Sequence, residues 1–478
     1  MNQPRTIFKN MFAQGLAQMI ERATTMFLGI FVARTLGARG LGVYSAAMVY
    51  YSLLFLAGEF GATIYLIREI SKDRTQTSRY VVHLAMLSGV VAVSFATIAR
   101  TVMPWLGYSQ ELQRCLYVII WAIIPAVWRA IQEGVFIAYQ RAEFLTYSAL
   151  IAAIVNITTT MLLLRQGFGV VSLVAAFVLV QFVVTTFYFV SINRRITRLR
   201  WEFSSAFLWK VVREMRTFTG SSVLQGFLSR PEIILLSLTK NDAQIGFYSA
   251  AVRLVDIWQL IPRVYMYNVY PVLSKYHHER DARAHSVRSK SIKYLLAWSL
   301  PVTVGMFVLA RPLLQLLYGS GFSPSVPVLR VLVWTIPLAT LWTIMWRVVS
   351  ARGEHGDVFN IQVISLLARF GGGYVLIRWF ASLGAAISSS ASTVLILILV
   401  VHQLRSDGTR LNFFHLTGKL ALAAAGMAIV TAILQSHVNF WLLVPVSLAS
   451  YVAMALLFKA FSADDFSTFR KIWRVQSS

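Results

Sequence analysis

Long apolar runs, rather than an alternation of apolar and polar positions, organise this chain. A helix needs about 20 predominantly apolar residues to cross roughly 30 Å of hydrocarbon. Fourteen runs approach that length: 12–33, 41–66, 80–99, 115–138, 145–163, 168–192, 217–239, 245–272, 294–316, 326–346, 359–377, 382–402, 420–434 and 441–458, of which the thirteenth is short. Helices surrounded by lipid are apolar all round, so the helical period marks no buried face within them. Polar positions collect at the joints. The pattern therefore predicts an all-α polytopic membrane protein with 14 transmembrane helices. Two cytoplasmic stretches are polar and apolar by turns. In 205–216, Phe207, Leu208, Val211, Val212 and Met215 alternate with Lys210, Arg213 and Arg216. That predicts an amphipathic helix at the interface beside anionic lipid. Residues 462–475 repeat the idea, with Ser462 as cap and Phe466, Phe469, Ile472 and Trp473 on one face.

Composition agrees and charge sharpens the picture. Of 478 residues, 57% are hydrophobic and 13% charged, where a soluble domain carries about 25% charge. Mean hydropathy is +0.64. The charges are lopsided, 44 Lys+Arg against 19 Asp+Glu, a net of +25. A nucleic-acid binder could be this basic but not this apolar, and a disordered basic tail would lack the 13 Trp, 19 Tyr and 31 Phe. Alternating the joints between two sides places 29 cations with both termini and 7 opposite. The positive-inside rule then predicts cytoplasmic termini and an even number of passes. The outer joints are too short to hold a folded domain. One cysteine, Cys115, rules out an internal disulfide, and no Cys/His spacing suggests a metal or cofactor site. The first run carries charges and continues as a full span, unlike a cleavable signal peptide.

An internal repeat divides the chain. Gly42-Val43-Tyr44-Ser45-Ala46-Ala47 recurs as Gly246-Phe247-Tyr248-Ser249-Ala250-Ala251, and Leu41 with Ile245 and Ile30 with Ile234 follow the same 204-residue shift. Both copies lie at an outer turn between a first and a second helix. Six spans separate them, so they share orientation, as in parallel transporter repeats. The expected organisation is an N-lobe, 1–192 (spans 1–6); a basic cytoplasmic connection, 193–216; a C-lobe, 217–404 (spans 7–12); and spans 13–14 with a basic tail, 405–478.

Charges at membrane depth supply the candidate site, because each costs at least about 2.5–3.5 kcal/mol at the bilayer centre and so requires a partner or water. Glu21 and Arg22 lie near the middle of span 1, Arg230 and Glu232 slightly outward of the middle of span 7, Arg253 and Asp256 near the middle of span 8, Arg369 at the middle of span 11. Arg129 lies one turn from Glu133 in span 4, and Glu59 near the inner edge of span 2. Arg253 with Asp256, and Arg129 with Glu133, are spaced to pair. Arg263 is one of several cations near span ends, placed to snorkel. Arg22, Arg230 and Arg253 lie on equivalent helices of the two halves and are all arginine, the forked cation suited to phosphate. Pro231 predicts a kink beside Arg230, and Gly371-Gly372-Gly373 a loosened helix beside Arg369.

The chain resembles the polysaccharide-transport, O-antigen (Wzx-type) flippases of the multidrug/oligosaccharidyl-lipid/polysaccharide exporter superfamily. The carrying segments are Ala33-Arg34-Thr35-Leu36-Gly37 with Gly40-Leu41-Gly42-Val43-Tyr44-Ser45, and Glu59-Phe60-Gly61-Ala62 leading to Ile67-Arg68-Glu69-Ile70. Further on come Ile245-Gly246-Phe247-Tyr248-Ser249-Ala250-Ala251 with Arg253-Leu254, then Tyr270-Pro271-Val272-Leu273-Ser274, and Leu317-Tyr318-Gly319-Ser320-Gly321-Phe322. The resemblance implies two pseudo-symmetric six-helix lobes in a V, plus two C-terminal helices, in a bacterial inner membrane. It implies a flippase, not an enzyme, carrying undecaprenyl-diphosphate-linked oligosaccharide by alternating access without a cofactor. Spans 1, 2, 7 and 8 would line a cationic cavity, which fits Arg22, Arg230 and Arg253; Arg369 in span 11 and Arg129 in span 4 complete the substrate-binding candidates. Asp256, Glu232 and Glu21 would be the candidates for ion coupling, with simple ion pairing as the other reading. Implied partners are the lipid-linked anionic oligosaccharide, membrane lipids, and a glycan polymerase with its chain-length machinery; nucleic acid is not among them.

Other readings stay open on the residues. A lipid II flippase also has fourteen spans and intramembrane arginines. A multidrug exporter of the same superfamily fits less well, since its cationic substrates oppose an arginine-rich cavity. A membrane glycan polymerase or ligase would carry a large external loop, which this sequence lacks.

Overall fold

Hydrocarbon offers the backbone no hydrogen-bond partner, so a chain this apolar must satisfy its peptide groups within each segment. The computed structural model describes residues 3–215, 230–262, 264–266, 269, 283–351, 355–406 and 413–461, and all its regular structure among these residues is helical. Ten of the described helical stretches are long and apolar enough to cross a membrane. Two of them far exceed one crossing: Lys9–Glu59 has 51 residues and Asn360–Gln403 has 44. At about 1.5 Å per residue each is long enough for two passes, and each is broken once. The breaks fall at Gly37 in the helix Gln3–Glu59 (α1) and at Ala381 in the helix His355–Ser406.

Contacts divide the chain into two compact units, residues 1–250 with 373–385, and residues 251–372 with 386–478. In the first, α1 is followed by α2 (Ala62–Lys72), α3 (Thr77–Val102), α4 (Gln110–Ile119), α5 (Ile123–Ala138), α6 (Glu143–Arg165), α7 (Val170–Arg195), α8 (205–215), α9 (Pro231–Thr239) and α10 (from Asp242). Tyr65, Leu66, Ile70, Leu84, Ile131, Val135, Phe136 and Tyr188 form its core.

The run 41–66 is not one helix. It stops at Glu59, and the chain turns through Phe60 (φ +35°) and Gly61 (φ +89°) into α2. The Glu59 carboxylate, 8% exposed, accepts hydrogen bonds from the backbone N–H of Gly61 (3.0 Å) and Thr63 (2.8 Å). It thus caps the new helix, whose first N–H groups have no partner within it.

The segment 205–215 is helical but does not lay its main apolar stripe on lipid. Phe207, Val211 and Met215 are buried in the protein core against α2 and α3. Lipid is not the nearest apolar surface: Tyr65 and Tyr80 are, and Phe207 meets Tyr80 edge-on at 4.9 Å between centroids. Trp209 and Val212, on the other side, remain exposed. The polar anchor is His83, fully buried in α3. The Arg79 carbonyl can only accept and the Ser204 N–H can only donate. His83 therefore carries its proton on Nδ1 (2.7 Å to Arg79 O) and accepts at Nε2 from Ser204 (3.0 Å).

In the second unit, α11 (Arg283–Val308) packs against the last two helices, Phe413–Leu434 and Phe440–Leu457. Leu295, Leu296, Leu420, Ala423, Ala424 and Met427 bury together, and Tyr451 donates to the Ala297 carbonyl at 2.9 Å. The run 294–316 breaks at Leu309, and the next helix ends where Gly319 takes φ +93°, with Tyr318 packed at a tilt against Phe322. Gly371-Gly372-Gly373 stays helical, contrary to expectation, because lipid leaves the backbone bonds no competitor. The amphipathic stretch 462–475, residues 217–229, Arg216, Arg263 and Tyr270-Pro271-Val272-Leu273-Ser274 lie outside the described residues.

Candidate functional site

The repeat has a structural counterpart. Gly37 and Asn241 are 204 residues apart, and the break in α1 at Gly37 matches the break between α9 and α10 at Lys240–Asn241. One turn beyond each break the two repeated glycines meet reciprocally. A Cβ on Gly42 would lie 1.7 Å from the Asp242 carbonyl oxygen, and one on Gly246 would lie 1.9 Å from that of Ala38. Ala38 and Asp242 are themselves 204 residues apart, so each glycine faces the partner of its own i−4 residue. Only glycine lets two backbones approach this closely.

Polar contacts tie the same end together. Lys240 donates to the Arg378 carbonyl (3.0 Å), and Ser382 donates to the Gln244 side chain (2.8 Å). Arg39 lies 3.8 Å from Glu111 and 3.9 Å from Asp242. Tyr50, Tyr108 and Ser237 form a chain whose direction follows from its end. Ser237 spends its proton on the Ile234 carbonyl (2.7 Å), so it accepts from Tyr50 (2.8 Å), which accepts from Tyr108 (2.6 Å). Apart from Ile234, a repeat position, none of these residues was singled out in the sequence, where they read as joints and interfacial aromatics.

At the opposite end, Glu69 accepts from Arg68 (2.7 Å) and Lys72 (2.8 Å). Burial alone would raise its carboxyl, but these two cations hold it below the usual range. The Thr75 hydroxyl and backbone N–H likewise hold Asp73 low. Tyr65 donates to Glu214 at 2.7 Å, tying α8 to α2.

The structure brings together some of the candidate residues. Arg129 and Glu133 pair on α5, Nε to Oε1 3.7 Å, with side chains 22% and 27% exposed. Tyr188 donates to Glu133 at 3.4 Å and is bonded to Ser148. Glu21, on α1, acts electrostatically on Arg129, Glu133, Tyr51 and Tyr188, so all five share one neighbourhood. Two carboxylates thus share Arg129, which periodicity alone did not show for Glu21. Arg22 is half-buried on the same helix as Glu21. Arg230 precedes α9 in a non-helical conformation (φ −151°, ψ 52°), and Glu232, in its first turn, is 1% exposed. Pro231 opens α9 directly after this non-helical Arg230, at a position where its missing N–H costs nothing; whether it kinks a longer span lies outside the described residues.

In the second unit Arg253 and Asp256 are half-buried on α10, Arg253 acts electrostatically on buried Tyr318, and Arg369 is half-buried. The same unit holds an apolar cavity of about 570 Å³ lined by Leu296, Leu300, Pro337, Leu341, Leu397 and Val401, with His402 and Thr417 among its few polar groups.

A family model described as polysaccharide biosynthesis protein matches residues 31–327, and one described as lipid II flippase MurJ matches residues 259–461. The chain is 22% identical over 407 residues to the probable low-salt glycan biosynthesis flippase Agl15 of Haloferax volcanii, covering 83% of this chain and 81% of that one. It is 24% identical over 433 residues to the succinoglycan biosynthesis transport protein ExoT of Rhizobium meliloti, covering 85% and 82%. Among solved structures it is similar to the lipid II flippase MurJ in an inward closed conformation, with TM-score 0.79, 15% identity, and 94% and 98% of the two chains covered. An inward-facing MATE multidrug transporter of the MOP superfamily gives TM-score 0.67 at 14% identity, covering 82% and 95%. The fold is that of this superfamily.

Proposed function

The chain belongs to the polysaccharide biosynthesis protein family, and from that premise we propose that it is a flippase for a lipid-linked glycan precursor. Its substrate on this reading is an undecaprenyl-diphosphate-linked oligosaccharide, an O-antigen or exopolysaccharide repeat unit. The unit moves across the cytoplasmic membrane by alternating access of two six-helix lobes, with fourteen passes and both termini in the cytoplasm. The names of Agl15 and ExoT support the glycan class.

The observation that supports the reading is charge retained within the long apolar helices of the chain, above all Glu21, Arg129 and Glu133 in one neighbourhood. A diphosphate is too costly to carry unaided through hydrocarbon. Arg22, Arg230 and Arg253 would compensate it as forked donors, with Arg369 assisting. Arg129, already engaged by Glu133, has the weaker claim on the substrate. The apolar cavity of the second unit suits a polyprenyl chain. Asp256, Glu232 and Glu21 are the groups that could carry a coupling ion.

In reconstituted vesicles, Arg22→Ala, Arg230→Ala and Arg253→Ala should each lower translocation while membrane insertion is retained. Normal flipping by all three variants would overturn the cationic site. Lipid II transport is the second reading, favoured by the match of residues 259–461 to the MurJ model. Depletion in the native host separates the two. Lipid-linked oligosaccharide accumulating on the inner leaflet with intact peptidoglycan supports the first; lysis with lipid II accumulation supports the second.

A further inference from the structure

A cavity of about 480 Å³ opens at the end of the first unit where the repeated glycines cross. It is lined by Arg39, Tyr108, Ser109, Lys240, Asn241 and Asp242, with Ser237 at its wall. Its size is that of a small-molecule site, but polar groups supply about half of its lining, where such sites are mostly apolar. The hydrogen-bond inventory says what it can take. Arg39 is 69% exposed, and its two acidic neighbours lie at 3.8 and 3.9 Å, so its donors are only loosely engaged. Lys240 has donors left beyond its bond to Arg378. Asn241 accepts from Gln244 N–H with Oδ1, leaving its amide N–H groups to donate. Ser109 accepts from Leu112 N–H and keeps its own proton.

Two groups are acceptors instead. Tyr108 has given its proton to Tyr50, so toward the cavity its oxygen can only accept. Asp242 presents a carboxylate, mostly buried. A phosphate needs donors alone and would be repelled by that carboxylate. A sugar ring needs both kinds, since each hydroxyl donates and accepts.

We infer that this cavity is a saccharide subsite that holds one pyranose unit of the glycan head, separate from the arginines at membrane depth. Identifying the sugar as part of a translocated glycan rests on the flippase reading; the binding chemistry does not. The walls come from both sides of the crossing, Arg39 from α1 and Lys240, Asn241 and Asp242 from the α9–α10 joint. The subsite is therefore complete only while that crossing is closed.

The test uses the full chain in lipid nanodiscs and saturation-transfer NMR, with cellobiose and cellobiouronic acid as probes, neither carrying lipid or phosphate. Both should receive saturation from the protein, and excess inorganic phosphate should not displace them. Arg39→Ala with Lys240→Met should weaken binding about tenfold, as expected for loss of charged hydrogen-bond donors. Tyr108→Phe, which removes one acceptor without touching any charge, should weaken it severalfold. Absent transfer, displacement by phosphate, or equal signals in the wild type and in the correctly folded variants would overturn the subsite. Sugar binding by a protein that moves no lipid-linked glycan would leave the subsite standing and remove the flippase reading.

Discussion

A carboxylate such as Glu59 reads in the sequence as a charge stranded near the edge of a span, and its use becomes visible only once the helix is seen to end beside it. Its two oxygens receive the N–H groups of Gly61 and Thr63. Glu59→Gln keeps one acceptor and turns an amide N–H toward a backbone N–H. Leaving a buried donor unsatisfied costs about 1–3 kcal/mol, so this variant should unfold at lower temperature in detergent than the wild type. His83→Phe should do the same and should also expose 197–204 to protease, because Ser204 N–H and the Arg79 carbonyl lose their shared partner. Arg129 poses a different question, since Glu133 and Glu21 both act on it. Glu133→Gln removes the closer carboxylate. If Arg129 reaches the diphosphate during transport, the variant should bind lipid-linked substrate more tightly and turn over more slowly. Unchanged affinity with lowered thermal stability would make Arg129 a structural partner of Glu133. Of these networks the sequence shows only the Arg129–Glu133 pairing, through its i,i+4 spacing; the Glu59 cap needs the helix end to be seen, and His83 with Ser204 and Glu21 with Arg129 join residues far apart in the chain, which periodicity does not encode.

At the scale of the helix, the sequence is read more successfully. The repeated Gly-x-Tyr-Ser-Ala-Ala hexapeptides mark real counterparts, and the breaks at Gly37 and Asn241 obey the same shift as the glycine crossing. The failures are equally physical. Phe60-Gly61 ends a helix inside a continuous apolar run because the turn is paid for by a buried cap, not by polarity. Gly371-Gly372-Gly373, a breaker in water, stays helical, and the break falls instead at Ala381, with Gly384 pressed on the Leu376 carbonyl. The stripe Phe207, Val211 and Met215 shows correct amphipathicity with the wrong partner, protein rather than lipid. The crossing gives a sharp prediction. Gly42→Ala or Gly246→Ala places a methyl within 2 Å of a backbone carbonyl, where no side-chain rotation can relieve it. The helices must separate. With the native Cys115 replaced by serine, Ser249→Cys, 3% exposed in the closed crossing, should be nearly inert to a membrane-impermeant maleimide. Gly42→Ala in that background should raise its labelling severalfold. Unchanged labelling would show that the crossing does not control access at this end.

For the molecule as a whole, the fourteen-span reading predicts an orientation from 29 cations on one side against 7 on the other, while the structure groups the joints of the first unit by end. Within the first unit, one end collects Arg39, Gly107–Ser109, Lys240–Gln244 and Arg378–Ser382. The other collects Arg68–Thr75, Lys9 with Glu143, and Arg200 bonded to Ser78. Of these two ends the second is the more basic, with Lys9, Arg68, Lys72, Arg74 and Arg200 against Arg39, Lys240 and Arg378. The positive-inside rule then predicts that this second end faces the cytoplasm. In a Cys115→Ser background, Asn241→Cys should react with impermeant maleimide added to intact cells, and Thr75→Cys should react only after the membrane is permeabilised. Ser320→Cys extends the test to the second unit: the loop tally places it outside, so it should label with Asn241→Cys. Thr75→Cys and Asn241→Cys labelling from the same side would mean that the number of passes between them is even, which would overturn both the fourteen-pass topology and the cytoplasmic termini. Labelling from opposite sides in the reversed sense would keep the pass count and invert the protein. That outcome would send an anionic lipid-linked head toward the cytoplasm and would contradict the proposed direction of transport.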